Sequence, residues 1–246
     1  MSRFAVILPA AGKSSRFRDR EKKPFVNLDG RAVWLRCAEL FITRDDVCQC
    51  LIVVAPEDRE MFRRRYQANL AFMNVQIADG GKERFESVAN ALALIKEEAE
   101  FVAIHDAARP CVTAEAIETV FAGAAKTGAA MLAVPVVETV KRADDKGIVK
   151  ETVPRRGLWL AQTPQVFRRD WLIEAYAKRS QLGRDITDDA RLIEAMGHPV
   201  YLLQGSSSNI KITAREDLAL AEAILKARPK PKAARPIHPF DDEYKW

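Results

Sequence analysis

At 246 residues the chain is long enough for one large α/β domain or two small ones, and its 48% hydrophobic and 30% charged content is that of a folded globule rather than a disordered polymer. It has no run of about 18 apolar residues, so no transmembrane helix and no membrane partner are expected. A net charge of +5 suits an anionic ligand, but cation runs with interleaved aromatics are absent, so a nucleic-acid partner is not expected and Arg63-Arg64-Arg65 reads as a solvated helix face.

The first predicted element lies in FAVILPAAGKSSRF, Phe4 to Phe17, where an aliphatic strand is stopped by Pro9. Arg3 with this run is short and flows into a glycine turn, which favours a core strand over a signal peptide. Small residues at Ala10, Ala11 and Gly12 let backbone approach a ligand. Ser14 and Ser15 add donors and Lys13 and Arg16 add charge, the makings of a phosphate-binding turn. Lys22-Lys23-Pro24 and an Asp29-Gly30 turn follow, then a helix over Val33 to Thr43. Cys50 to Ala55 is a continuous aliphatic strand of the kind parallel sheets bury on both faces.

A helix is expected over roughly Asp58 to Gln67, and a strand over Val75 to Ala78 closing at Asp79-Gly80-Gly81. The next helix shows its face through Phe85, Val88, Ala89, Leu92, Ile95 and Ala99. Phe101 to Ile104 is a strand ending in His105-Asp106-Ala107-Ala108-Arg109-Pro110. Thr113 is placed to cap the helix that runs to Lys126, and Gly128 ends it before a strand over Ala129 to Val137. Alternating strand, loop and helix predicts an α/β fold with a parallel, doubly wound sheet and ligands at the strand C-termini.

The alternation then breaks. Val136 to Lys141 and Ile148 to Val153 flank Asp144 to Gly147, a hairpin signal for an arm at about residues 137–157. A projecting arm predicts a homodimer, with an edge hairpin on a monomer as the alternative. Helices resume over Asp170 to Gln181 and Thr187 to Met196, the second capped by Thr187 with Asp188 and Asp189 in its first turn. A strand over Val200 to Leu203, a Gly/Ser turn and NIKIT lead to a last helix over Glu216 to Lys226. Residues 1–227 read as a single domain and 228–246 as a loose Pro/Lys-rich tail. Trp159 and Trp171 are assigned to packing. Cys37, Cys48, Cys50 and Cys111 have no disulfide or zinc spacing, and the three histidines form no metal pattern, which suits free thiols in a reducing cytoplasm.

Charged or small-residue clusters therefore follow the strands at Gly12 to Arg16, Lys22-Lys23, Gly80 to Arg84, Asp106 to Arg109 and Ser206 to Lys211. One carboxylate for a metal, several cations and backbone-rich turns, without a Ser-His-Asp or Cys-His set, point to phosphoryl or nucleotidyl transfer. The pieces PAAGKSSRF, GGKERFESV, HDAARPCV, AVPVVETVKRA, GLWLAQTPQVF, ITDDA and NIKIT with EDLALAEAIL, in this order, resemble the 2-C-methyl-D-erythritol 4-phosphate cytidylyltransferase family over roughly Ala5 to Leu225.

The resemblance implies a Rossmann-like nucleotidyltransferase fold, a homodimer with an exchanged β-arm, and Mg²⁺. By it, Ala10, Ala11, Gly12 and the turn to Arg16 wrap CTP, while Gly81, Lys82 and Ser87 hold cytosine and ribose. Asp106 and Arg109 lie on the ribose and metal side, with Asp106 the metal ligand. Arg16, Lys23 and Lys211 are the catalytic cations around the triphosphate. Thr139 and Arg155 of the arm hold the polyol phosphate in the partner's site, and Thr163 is substrate-side. Three departures stand out: Ser14 replaces a second glycine, Lys82 replaces a position often acidic, and Lys22-Lys23-Pro24 leaves Lys22 or Lys23 as the catalytic lysine. Ribitol 5-phosphate is the alternative acceptor, and a non-catalytic nucleotide-binding relative the alternative class.

Overall fold

The structure is a computed structural model, which describes residues 2–12, 17, 22–181 and 186–229. In chain order it has β1 (Phe4–Pro9), a short ladder of β2 (Asn27–Leu28) and β3 (Arg31–Ala32), α1 (Val33–Ile42), β4 (Val47–Val54), α2 (Arg59–Met73), β5 (Val75–Asp79), α3 (Arg84–Leu92) and β6 (Phe101–Ile104). The second half has α4 (Ala114–Thr127), β7 (Ala129–Pro135), a hairpin of β8 (Val140–Ala143) and β9 (Val149–Val153), β10 (Trp159–Arg168), α5 (Arg169–Ala177), α6 (Asp189–Ala195), β11 (Tyr201–Gln204) and α7 (Glu216–Lys226).

Among the described residues seven strands form one sheet in the order β11-β7-β10-β6-β1-β4-β5. Only β10 in it runs antiparallel to its neighbours. Because side chains alternate along a strand, Phe4, Val6 and Leu8 of β1 enter one core with Trp34, Phe41, Phe62 and Phe121, while Ala5 and Ile7 enter the other with Val88, Leu172 and Ile193. Helices α1, α2 and α4 thus cover one face, and α3, α5 and α6 the other. A third cluster joins Leu28, Val33, Ala108, Cys111, Ile212 and Ala221. It fixes the loop after β6 against the segment that carries Lys211, where Ile212 N donates to Ala108 O at 2.8 Å.

Several expectations need correction. The sequence reading has no strand in GLWLAQTPQVF, yet β10 is the longest in the sheet and Trp159 is 40% exposed rather than packed. Polar residues hide that strand from a pattern search. Gln162 Nε2 donates to Ser206 O and Gln165 Nε2 to Asp188 Oδ2, each at 2.8 Å, so both amides are buried at little cost. The cis Thr163-Pro164 bond lies where the β10–β7 register shifts. Helix α3 ends at Leu92, so Ile95 and Ala99 are buried from the turn that follows. Helix α2 continues to Met73 through a kink at Tyr66, whose hydroxyl donates to Phe25 O at 3.2 Å, and stops at left-handed Asn74. Asp188, not Thr187, caps α6, accepting from Arg191 N. Thr113 does cap α4, and all four cysteines are free.

Candidate active site

Parallel strands end at the same edge of a sheet, so the turns after β1, β4, β5 and β6 converge. A cavity of about 910 Å³ opens there, lined by Pro9 to Gly12, the Gly80–Ser87 turn, Asp106 and Lys211, with Lys23 and Glu57 on its rim. Backbone bonds hold the turns in place: Ala10 N donates to Val53 O, Gly80 N to Val54 O (both 2.8 Å) and His105 N to Ile7 O (2.9 Å).

The turn after β5 has to touch the turn after β1. A Cβ at Gly80 would stand 2.4 Å from Ala11 Cβ and 3.3 Å from Val54 O, well inside contact distance. Gly80→Ala is therefore expected to destabilise by about 1–3 kcal/mol through overpacking, read as a lower urea midpoint with an unchanged slope. Beyond Gly80 the turn is tied to the first turn of α3. Gly81 N donates to Ser87 Oγ at 3.0 Å, and Lys82 N and Glu83 N donate to Glu86 Oε2 at 2.6 and 3.1 Å, closing a capping box. Ser87 is buried and shapes this backbone, whereas the Lys82 side chain is exposed at the cavity.

Asp106 is the centre of charge. Lys211 Nζ is 2.8 Å and Arg109 Nε 3.5 Å from its Oδ2, and Arg109 Nη1 donates to Asn209 O at 2.7 Å. Burial pushes the Asp106 pKa up, but Lys211, Arg84 and Arg109 together hold it well below the usual carboxylate range, so the group is ionised. Behind it, Asp106 N donates to Thr163 Oγ1 at 3.1 Å, and Thr163 Oγ1 is 3.2 Å from His105 Nδ1. His105 Nε2 faces Arg109 O at 3.1 Å, and a carbonyl only accepts. The imidazole proton therefore sits on Nε2, and the Thr163 hydroxyl donates to Nδ1. Burial lowers the His105 pKa to about 4, so this ring is neutral and fully engaged in holding the Asp106 loop. Thr163 is part of that scaffold and does not line the cavity.

The structure gathers Ala10, Ala11, Gly12, Lys23, Gly81, Lys82, Ser87, Asp106 and Lys211 around one cavity. Arg109 stands behind Asp106. Thr139 and Arg155 are exposed on the arm and line no part of the cavity, with Arg155 Nη1 donating to Val137 O. Arg16, with Lys13, Ser14 and Ser15, lies outside the described residues. Lys22 is tied to Glu57 and Asp58, 3.2 and 2.5 Å away, which leaves Lys23 as the cavity-side lysine.

Two side chains do more than the sequence predicts. Arg84 closes the Gly80 to Arg84 cluster without a role of its own in the sequence reading, yet it lines the cavity and pairs with Asp189 at 2.7 Å. Asp189 stands in the first turn of α6, as the sequence predicts, but its side chain is 2% exposed and accepts from the Tyr176 hydroxyl at 2.5 Å. The sequence signal for Arg84 was a cation at the positive end of a helix, where none is favoured.

Among the described residues no three acidic, histidine or cysteine side chains form a metal cluster. One ionised carboxylate beside a cavity still fits a magnesium ion that takes its remaining ligands from substrate phosphates and water.

A family model described as IspD, 2-C-methyl-D-erythritol 4-phosphate cytidylyltransferase, matches residues 4–227. The chain is 44% identical over 232 residues to the 2-C-methyl-D-erythritol 4-phosphate cytidylyltransferase of Rhodopirellula baltica, covering 90% of this chain and 94% of that protein. For the protein of the same name from Pelotomaculum thermopropionicum the identity is 40% over 229 residues, with 93% and 96% covered. Among solved structures, 4-diphosphocytidyl-2C-methyl-D-erythritol synthase from Anaerococcus prevotii superposes with a TM-score of 0.78 at 26% identity, covering 92% of this chain and 99% of that one. The Thermus thermophilus cytidylyltransferase superposes at 0.74 and 30% identity, covering 89% and 98%.

Proposed function

The chain belongs to the 2-C-methyl-D-erythritol 4-phosphate cytidylyltransferase family, and from that premise we infer that it transfers CMP from CTP to 2-C-methyl-D-erythritol 4-phosphate. Pyrophosphate leaves, and 4-diphosphocytidyl-2-C-methyl-D-erythritol, an isoprenoid precursor, forms. The observation that carries the chemistry is the cavity at the strand C-termini, where an ionised Asp106 stands among cations and, among the described residues, no histidine lines the opening.

That inventory matches the reaction. The second pKa of a phosphate monoester is near 6, so the acceptor is largely dianionic at neutral pH and attacks the α-phosphorus without losing a proton to the protein. The neutral, engaged His105 is consistent with a reaction that needs no histidine base. What must be supplied is relief of anion–anion repulsion and stabilisation of charge on the α-phosphoryl oxygens and departing pyrophosphate. Lys23 and Lys211 supply it in this reading, with Arg16. The backbone at Ala10 to Gly12 and the Gly81 to Ser87 turn receive the nucleotide, with Lys82 at the rim and Arg109 supporting Asp106. Asp106 and the substrate phosphates would hold a magnesium ion, whose chemistry is charge neutralisation on those phosphates.

Pyrophosphate release is the direct test. CTP with 2-C-methyl-D-erythritol 4-phosphate and Mg²⁺ should give it, and CTP with ribitol 5-phosphate should give far less. No release with the first acceptor overturns the reading, and loss of release under chelation that Mg²⁺ restores supports the metal.

The arm belongs to a homodimer in this reading. Val137, Ile148 and Val149 are 70%, 58% and 56% exposed on or beside it, and Leu160 is 59% exposed at its base, apolar surface that a second copy would cover. Thr139 and Arg155 then reach the polyol phosphate in the partner's cavity, beside its Thr163 loop. Mixing Lys23→Ala chains with Arg155→Ala chains, each nearly inactive alone, should restore about a quarter of wild-type activity, because half the dimers would carry one intact site. No recovery would mean that each site is built within one chain. CTP and polyol phosphates are anions that do not cross lipid, and among the described residues no helix is long and apolar enough to span a membrane; both are consistent with a cytoplasmic site of action.

A further inference from the structure

Arg84 is the first residue of α3, where the aligned peptide dipoles already present positive charge and a cation is disfavoured. Its side chain is 36% exposed at the cavity, while the carboxylate it meets is 2% exposed. Joining α3 to α6 does not require a buried charge: an apolar pair of similar volume would do so without desolvating a carboxylate. The arrangement makes sense if the guanidinium must face the cavity in a set orientation. Asp189 Oδ2 takes Arg84 Nη2 at 2.7 Å, and Asp189 Oδ1 takes the Tyr176 hydroxyl at 2.5 Å, so the carboxylate itself cannot rotate freely. Burial works against the charge on Arg84, and the fields of Asp189 and then Asp106 outweigh it, so the guanidinium stays ionised and lies within reach of the Asp106 field.

We propose that Arg84 is a contact to the triphosphate of the bound nucleotide, and that Asp189, braced by Tyr176, is the positioning residue that aims its guanidinium at the cavity. This rests on the reading of the cavity as a CTP site. A planar, forked donor suits two oxygens of one or adjacent phosphates, a geometry that the point charge of a lysine does not reproduce. The Gly80–Ser87 turn, from which Arg84 projects, also brings Lys82, Glu83 and Glu86 to the cavity, and Arg84 is its forked donor.

The test is a double-mutant cycle read by calorimetric titration of CTP, with Mg²⁺ and without acceptor, on the full chain. Arg84→Gln should weaken CTP binding about 10- to 100-fold, and Arg84→Lys should recover only part of the loss. Asp189→Asn should weaken binding about 10-fold in the wild-type background and have no further effect in Arg84→Gln. Tyr176→Phe should act in the same direction about 2- to 5-fold, and it carries the cycle if Asp189→Asn does not fold. A purely structural pair would lower the melting temperature in both backgrounds and leave CTP affinity untouched. That result, or equal losses of affinity in both backgrounds, overturns the proposal. A wild type that binds no CTP overturns both this proposal and the CTP reading. CTP binding with the expected cycle, but no pyrophosphate release with the acceptor, supports the role of Arg84 and overturns only the acceptor.

Discussion

Lys23→Ala is expected to lower turnover by about two to three orders of magnitude, the effect of removing one well-placed electrostatic donor from a reaction run on charge stabilisation. Lys23 lines the cavity that Asp106 and Lys211 share, and its neighbour does not. Lys22 is held by Glu57 and Asp58, so Lys22→Ala should cost about 1 kcal/mol of stability or less and leave turnover within about tenfold. Steady-state rates of both variants at saturating CTP decide between the two lysines. A near-normal rate for Lys23→Ala with a collapsed rate for Lys22→Ala would reverse the assignment.

Asp106→Asn should damage stability and rate together. The wild-type carboxylate neutralises Lys211 and Arg109 and is felt by Arg84. Asparagine keeps the shape and removes the charge. Lys211, 37% exposed, can turn to solvent, but the Arg109 side chain is only 13% exposed and loses its counter-charge in place. A loss of about 3 kcal/mol follows, the low end for breaking a buried pair by removing one partner. In a chain of this size that lowers the melting temperature by about 6–12 °C. Turnover should fall by at least about 10²-fold in the same protein if Asp106 faces the substrate phosphates as proposed. The wild type has a matching pH signature. A carboxyl whose folded pKa is depressed contributes stability that is fully present above its unfolded value near 3.8, and that contribution drains away as pH falls from there through the folded value, which lies well below the usual carboxylate range. Thermal melts of the two proteins from about pH 7 down to about pH 2 should therefore keep a constant gap above about pH 5 and narrow it steadily below about pH 4. Parallel curves, or an unchanged rate, would remove Asp106 from the centre of the site.

Much of the site was legible because it is built from turns. Phe4 to Pro9, Phe101 to Ile104 and the aliphatic part of β4 announce themselves as strands, and the residues just beyond each strand are the ones that meet. Small residues at Ala10, Ala11 and Gly12 signal close backbone approach to a ligand, and the structure adds a close approach of another kind, the Gly80 turn against Ala11. The later half was harder to read. The TPQ segment joins the sheet as part of β10 because its polar side chains find buried partners, and hydrophobic periodicity cannot see a strand stabilised that way. Asp188-Asp189 looks like a helix start, and both stand there, Asp188 as the cap and Asp189 in the first turn. Asp189 is also buried against Arg84, 105 residues earlier in the chain.

The sequence by itself determined the order of the main elements apart from β10, the doubly wound α/β class and the family, because strand and helix periods and short motifs are local properties of the chain. The tertiary structure alone decided that Lys23 rather than Lys22 lines the cavity, that Thr163 and His105 brace the Asp106 loop from behind, and that Asp189 pairs with Arg84. Each of these depends on which side chains oppose one another across the sheet, and on how burial and neighbouring charge set their ionisation, neither of which is local to the chain.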